Sequence, residues 1–276
     1  MTNLKKVREG SEDMIPEFTK NDIFVMLQTL NTKSIIGFSN PFIALTKQEI
    51  EKEWEKTYKK LHLRGLVNLV EGEVKLEEGF ANALWIMSRT NLTVEIITDG
   101  KKKNVFYFGT ENVVECSRTA DNNYTLYMHG APDNTWNDVI YPRMLAGVEK
   151  QHVQMEDRIL IPTSMYTKCV ENGLVLDNDK LEPFNAGQNL NSITKKLNHS
   201  IKNEIHNSRL MLFYQEDSKW SIEGLHVLTS PTGNWTFKMI NENEVELLDG
   251  KNSTNIEIVT EILDVLRRGS INDNEK

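Results

Sequence analysis

The sequence has little of what marks a disulfide-stabilised, secreted or membrane-inserted protein. Only two of its 276 residues are cysteines, Cys116 and Cys169, and they are too far apart for a C-x-x-C pair or a local metal cluster. We expect two reduced, buried thiols. No stretch approaches the roughly 18 consecutive apolar residues of a membrane span, and the N-terminus has no apolar signal-peptide core. These absences predict a cytoplasmic protein that is not inserted in a membrane.

Short motifs of the common enzyme classes are also absent. The sequence has no P-loop, dinucleotide fingerprint, nucleophile elbow or H-E-x-x-H zinc motif. The closest two histidines, His199 and His206, would lie on one helix about 10.5 Å apart, which is too far to share a metal. Four clustered carboxylates are typical of a solvated hairpin and a helix N-terminus: Glu71, Glu73, Glu77 and Glu78. We therefore predict no enzyme activity, no catalytic residue, no metal site and no cofactor.

The chain has no excess of positive charge. Its 40 acidic and 32 basic residues give a net charge of -8, which disfavours a nucleic-acid partner. The alternative is a DNA-binding regulator of the winged-helix type, because a basic run lies beside a helix followed by a hairpin: Lys56, Lys59, Lys60 and Arg64. Acidic residues on the same helix, such as Glu55, explain the lysines equally well as surface ion pairs.

The first half of the sequence predicts helices followed by a run of strands. Thr19 with Asp22 is an analogue of a capping box, and Thr46 with Glu49 is a capping box; each begins an amphipathic helix. The alternating residues after Gly65 predict a short hairpin turning at Glu71-Gly72, and a third helix follows. Four β-like segments separated by polar turns then predict an antiparallel meander, with a closing helix that kinks near Pro142 and stops at Gly147.

The second half repeats this order. A helix ending at Gly173, a shortened hairpin in "LVLDNDKLEPF", a helix over 189–205, four β-like segments and a last helix stopping at Gly269 follow one another. Similar order at similar spacing indicates an internal duplication. The predicted fold class is α+β, with two pseudo-symmetric halves, 1–150 and 151–276, that form one compact unit.

Aromatic residues on the expected strands are candidate partner contacts, because an exposed Trp or Tyr on a sheet is a frequent interface hot spot. The candidates in the second half are Trp220, Trp235 and Phe237. We expect most aromatic residues of both meanders to be core residues.

The order of elements resembles the EspG-like chaperones of type VII (ESX) secretion systems and their Gram-positive, staphylococcal-type counterparts. The resemblance is carried by "KKLHLRGLVNLVEGEVKLEEGFANALWIMSRTNLTVEI", residues 59–96, and by its echo from Cys169 to Phe184. That family similarly has a helix, a Gly-Leu-hydrophobic turn, a short acidic or Gly-containing segment, another helix and a meander.

This resemblance implies a cytosolic chaperone or adaptor that needs no catalytic residue. It would hold a secreted helical substrate, keep it soluble and present it to the membrane ATPase of the secretion machinery. The staphylococcal-type counterparts further imply a nuclease-like toxin or a small WXG100-type helical protein as the substrate.

The loop "DGKKKN" is the candidate gripping element, because the resembling family holds its substrate with a loop between early strands. Its candidate contact residues are Asp99, Lys101, Lys102 and Lys103, of which the three lysines would steer an acidic partner. The alternative is a solvated turn whose charges only discourage edge pairing.

Overall fold

The computed structural model describes residues 17–271 except 33–34, 72, 101, 148–156, 173, 178–180, 184–186, 217–218 and 243–244. The chain divides into two compact units. The first contains Met1–Val94 and Lys103–Trp136, and the second contains Glu95–Lys102 and Asn137–Lys276. Both mix helices with antiparallel strands, as the α+β prediction requires.

The first unit begins with helices and continues into a meander. Its elements are β1 (Glu17–Phe18), α1 (Lys20–Thr29), α2 (Lys47–Leu63), β2 (Val67–Val70), β3 (Glu73–Leu76), α3 (Glu78–Arg89), β4 (Leu92–Thr98), β5 (Lys102–Phe108), β6 (Val113–Arg118), β7 (Tyr124–Met128) and α4 (Pro132–Thr135). Strands β2 and β3 form a separate hairpin, and the other strands lie in the order β1-β7-β6-β5-β4. The second unit begins within β4, at Glu95.

Both predicted capping boxes are present in the first unit. In the first, the Thr19 hydroxyl accepts from the Asp22 amide, and the Asp22 carboxylate accepts from the Thr19 amide. In the second, Thr46 and Glu49 make the same two hydrogen bonds. These helices and α3 pack on one face of the meander. The buried residues of this core on β5, β6 and β7 are Val105, Tyr107, Val114, Cys116 and Leu126.

The second unit has more strand residues. Its remaining elements are a π-helical turn (Trp136–Ile140), α5 (Tyr141–Met144), β8 (Arg158–Pro162), α6 (Thr163–Asn172), β9 (Glu182–Pro183), α7 (Leu190–Lys202), β10 (His206–Glu216), β11 (Lys219–Ser230), β12 (Gly233–Glu242), β13 (Val245–Asn252) and α8 (Asn255–Ile271). The strand order is β4-β10-β11-β12-β13-β8-β9. The π-helical turn lies directly before Tyr141-Pro142, where the sequence predicts a kink.

Several details differ from the prediction. In the described part of the second hairpin segment, residues 174–177 have no regular structure, and β9 pairs with the unpredicted strand β8. Helix α7 ends at Lys202, so His199 and His206 do not share a helix, and α8 continues past Gly269 to Ile271. The predicted stop at Gly173 lies outside the described residues.

The repeated Gly-Leu-Val triplet also differs in burial between its two copies. Val67 is fully buried, whereas Val175 is 75% exposed and the next residue, Leu176, enters the core instead. The sequence echo therefore does not extend to the same side-chain positions.

Candidate functional site

One face of the β10–β11–β12 segment changes along its length from buried to open. Residues two apart on a strand point to the same side, so Leu228, His226, Gly224, Ile222 and Trp220 of β11 share this face. Leu228 is fully buried and His226 is 7% exposed, whereas Ile222 and Trp220 are 59% and 44% exposed. Helix cover thus ends part-way along β11.

The covered end explains two of the predicted contact residues. Trp235 and Phe237 of β12 are 0% and 1% exposed and pack with Tyr166 and Cys169 of α6 and with α7. The Trp235 indole N–H also donates to Ser200 Oγ across 3.1 Å. Both aromatic residues are core residues rather than exposed anchors, because α6 and α7 cover this part of the sheet.

The uncovered end is a compact apolar surface. Ile222 pairs with Phe213 and Gly224 with Met211, so both half-buried β10 side chains lie on the same face as Ile222 and Trp220. Leu225 and Lys238 form a pair whose side chains lie on the opposite face of the sheet. The next residue of β12, Met239, therefore lies on the same face as Gly224 and Ile222, and it is 48% exposed. We call these five residues the open apolar face: Met211, Phe213, Trp220, Ile222 and Met239.

Gly224 leaves room on this face for the Met211 side chain. An added Cβ at Gly224 would lie 2.9 Å from Sδ of Met211, so only a residue without a side chain lets the thioether lie across the strand at this point. Between Ile222 and His226 this face of β11 therefore carries no side chain of its own. The flexible side chain of Met211 lies beside that position.

A buried polar cluster marks the boundary between the covered and open ends. The Tyr166 hydroxyl donates to Nδ1 of His226 across 2.7 Å, and Nε2 donates to Asn207 Oδ1 across 2.6 Å. Burial, followed by the charge of Arg209, lowers the pKa of His226 from 6.5 to about 3. Burial also raises the pKa of Tyr166 well above 10. The cluster is neutral and joins α6 to β10 and β11.

The lysine loop lies at the other end of β10. Asp99, in the left-handed region at φ 51°, donates its amide to the Asn207 carbonyl, and its Oδ1 lies 3.1 Å from His206 Nδ1. Lys102 is exposed and Lys103 is half-buried, while Lys101 lies outside the described residues. Asp99 therefore anchors the loop, and Lys102 extends into solvent.

The structure does not bring this loop and the open apolar face together. Asp99 contacts His206 at the start of β10, whereas Trp220 pairs with Gln215, nine residues further along. At about 3.4 Å per residue this separation is roughly 30 Å. A contact that uses both features needs a partner of at least that length.

The basic helix of the DNA-binding alternative is largely engaged in ion pairs. Lys60 Nζ lies 2.5 Å from the buried Asp22 carboxylate, and Lys56 and Lys59 pair with Glu53 and Glu55. The hairpin that would act as the wing carries Glu71 and Glu73, both exposed. These carboxylates oppose the approach of a phosphate backbone.

No metal-binding cluster of His, Cys, Asp or Glu is found among the described residues. Cys116 and Cys169 are buried free thiols, and burial raises the pKa of each. Raised thiol pKa values oppose nucleophilic or redox chemistry, because the thiolate is the reactive form. Within the same part of the chain, no helix is both long and apolar enough to cross a membrane.

No family model matches this sequence, and no curated protein matches it. A solved structure does: the Mycobacterium tuberculosis type VII secretion system chaperone EspG5 in complex with a PE25-PPE41 dimer. The two chains superpose with a TM-score of 0.52 over 86% of this chain and 90% of that chain, at 10% sequence identity. The chain has an EspG-like fold. At this identity the likeness concerns the fold alone.

Proposed function

We propose that this protein is a chaperone of a type VII secretion system that holds a secreted protein substrate before export. The observation that carries the proposal is the EspG-like fold, which extends over 86% of the chain. The neighbouring structure is a chaperone in complex with a PE25-PPE41 dimer. By analogy, the substrate of this chain is a secreted helical protein, of the WXG100 type or the helical part of a toxin.

The open apolar face supports this proposal as the substrate-binding surface. Trp220 and Ile222 lie about 7 Å apart along β11, close to the separation of residues one turn apart on an amphipathic helix. Exposed apolar patches on a sheet mark interaction sites, and a Trp at their centre is a frequent hot spot. A substrate helix lying across β10–β12 would cover Trp220, Ile222 and Met239 and shield its own apolar stripe from water.

The lysine loop has a second role in this proposal. Lys102 and Lys103, with Lys101, attract an acidic part of the substrate and raise the association rate. The separation of roughly 30 Å between the loop and the open face suits an elongated helical substrate, since about 20 helical residues have that length.

The remaining parts of the proposal concern the protein's setting. The chain acts in the cytoplasm of a Gram-positive bacterium with a staphylococcal-type system, has no enzymatic activity, and passes its substrate to the membrane ATPase. We also propose that the chain arose by duplication of 1–150 and 151–276, because helices, four strands and a closing helix follow in the same order in each half.

Affinity capture from the native host tests this function. Tagged protein is expected to recover a stoichiometric, secreted helical partner, identified by mass spectrometry. The double variant Trp220→Ala/Ile222→Ser is expected to lose that partner. A matched control is Ile256→Ser, which removes a 73% exposed apolar side chain from α8 in the same unit.

Two results would contradict the proposal. The first is the absence of any stoichiometric secreted partner. The second is equal recovery of the partner by the double variant and by the Ile256→Ser control. Salt-sensitive retention on DNA without a protein partner would favour the winged-helix alternative instead.

A further inference from the structure

The β2–β3 hairpin carries a second apolar surface, in the first unit. Val67 pairs with Leu76 and Leu69 pairs with Val74, so these four side chains share one face. Val67 is fully buried and Leu76 packs against the core, whereas Leu69 and Val74 are 60% and 45% exposed. We call Leu69 and Val74 the hairpin tip pair. The apolar face of the hairpin therefore continues from the core into solvent.

The charges around the tip pair are mainly negative. Glu71, at the turn, and Glu78, at the start of α3, are exposed. Glu73 and Lys75, the single basic residue from 68 to 78, pair with Val70 and Asn68 and therefore lie on the opposite face of the hairpin. The nearest cation before the hairpin, Arg64, is already engaged: its Nη1 donates to the Glu17 carbonyl across 2.9 Å. A partner that covers the tip pair therefore meets exposed carboxylates at its rim.

The β2 edge of the hairpin is poorly suited to strand addition. The Glu77 amide donates to the Leu66 carbonyl, so Leu66 and Glu77 are a hydrogen-bonded pair. Because hydrogen-bonded and non-hydrogen-bonded pairs alternate along an antiparallel ladder, the backbone groups of Val67 and Leu69 point away from β3, towards the outer edge of β2. The Val67 carbonyl already contacts Nδ1 of His62 at 2.9 Å. Beyond that bond, Leu69 alone presents an outward amide and carbonyl on this edge. One residue is too little for a stable added strand.

A second copy of the chain is also disfavoured as the partner that covers the hairpin tip pair. Two hairpins that met through their tip pairs would bring the exposed Glu71 of each copy close together. Like charges in direct contact oppose such an interface. The carboxylates instead complement lysine or arginine.

We propose that the hairpin tip pair docks a cationic amphipathic helix of a partner protein. Leu69 and Val74 are about 5 Å apart across the strands, a spacing that matches apolar residues three or four apart on a helix. Lysines or arginines on either side of that apolar stripe pair with Glu71 and Glu78. The residues of this surface differ from those of the open apolar face. Its carboxylates select a basic partner, whereas the lysine loop attracts an acidic one.

A designed peptide tests the proposal. The probe is a fluorescein-labelled helix of about 18 residues with leucine at i, i+3, i+4 and i+7 and lysine on the flanks. Binding to the full-length protein is measured by anisotropy at about 0.15 M salt. The double variant Leu69→Ser/Val74→Ser is expected to weaken binding about tenfold or more, and Glu71→Lys/Glu78→Lys to do the same. Both variants change only exposed side chains, and circular dichroism and thermal unfolding verify their fold.

Two controls distinguish binding at the hairpin from binding through charge alone or at the open apolar face. A peptide with leucine replaced by glutamine keeps its charge and is expected to bind about tenfold more weakly. The Trp220→Ala/Ile222→Ser variant is expected to bind the lysine peptide as the wild type does, so this result does not depend on the proposed chaperone function. Equal binding of the glutamine peptide, or of a peptide with glutamate flanks, overturns the proposal.

The chain's own residues 4–8, Leu-Lys-Lys-Val-Arg, share the chemistry of the proposed partner. The variant Lys5→Glu/Lys6→Glu/Arg8→Glu therefore serves as a further control. Affinity for the lysine peptide equal to that of the wild type supports an external partner. A gain of about tenfold would identify these residues as a competing occupant and would overturn the assignment.

Discussion

Phe237 lies directly over Gly250, its partner on the neighbouring strand. An added Cβ at Gly250 would be 2.9 Å from Cε1 and 3.0 Å from Cδ1 of the Phe237 ring. The ring is confined by Tyr166 and His226, whose ring centroids are 4.4 and 5.6 Å from its own. The absence of a side chain at Gly250 therefore allows the Phe237 ring to take its position beneath α6.

We expect Gly250→Ala to destabilise the protein by about 1–3 kcal/mol, because the confined ring must move to admit the methyl group. Urea unfolding of both proteins measures the change. Gly130→Ala is the control: an added Cβ there meets no atom within 4 Å, and the change should stay within about 0.5 kcal/mol. A Gly250→Ala protein as stable as this control would show that the core adapts more freely than the contacts suggest.

The buried His226 makes stability depend on pH. Its pKa is about 3 in the folded state, against 6.5 as its ordinary value, so the unfolded chain binds the additional proton. The stabilisation is therefore full above pH 6.5 and is lost as the pH falls towards 3. Between pH 7 and pH 5 this group should remove about 2 kcal/mol from the free energy of unfolding.

His226→Gln isolates that contribution. The variant loses the titrating group, so its stability should fall less than that of the wild type between pH 7 and pH 5, although it starts from a lower value. Urea unfolding at both pH values gives the comparison. Parallel loss in the two proteins would assign the acid sensitivity to other groups.

The Lys60–Asp22 ion pair joins α2 to α1. The Asp22 side chain is 3% exposed and also accepts from the Thr19 amide across 2.7 Å. Lys60→Met leaves this buried carboxylate without its cation, so we expect a loss of about 1–3 kcal/mol. Lys56→Met on the same helix is the control, because its more exposed pair with Glu53 should contribute about 0.5 kcal/mol or less. Thermal or urea unfolding of the two variants decides the ranking, and equal losses would contradict it.

The lysine loop should affect association more than stability. Replacing Lys101, Lys102 and Lys103 by Glu is expected to slow association with the captured partner about tenfold and to weaken its salt dependence. Biolayer interferometry at several salt concentrations measures both quantities. Three exposed lysines elsewhere in the second unit, Lys168, Lys195 and Lys202, provide a charge-matched control when replaced by Glu. Equal association rates for the two triple variants would remove the loop from the mechanism.

Much of the local structure could be predicted from the sequence. The capping boxes at Thr19 and Thr46, the turn after Val70 and the two consecutive meanders all depend on residues close together in the chain. Strand β8 was missed because it is short and follows a polar stretch, and its place beside β13 depends on a partner about 90 residues away. Strand β9 likewise pairs with β8, more than 20 residues earlier in the chain, which the local alternation of 174–184 does not indicate.

The candidate site was only partly predictable. The sequence singled out Trp220, Trp235 and Phe237 together, because all three lie on strands with similar patterns. No local pattern indicated that Ile222 and Met239 would be exposed beside Trp220. Met211 and Phe213 join the surface only through the β10–β11 register.

By itself, then, the sequence determined the kind and order of most helices and of the two meanders. It also determined the low positive charge and the two isolated cysteines. Each of these follows from composition or from near neighbours. Tertiary structure alone decided which aromatic residues are buried and which are open. Helices α6 and α7 cover Trp235 and Phe237 but end short of Trp220. That limit is set by helix length and long-range packing, which no local pattern encodes.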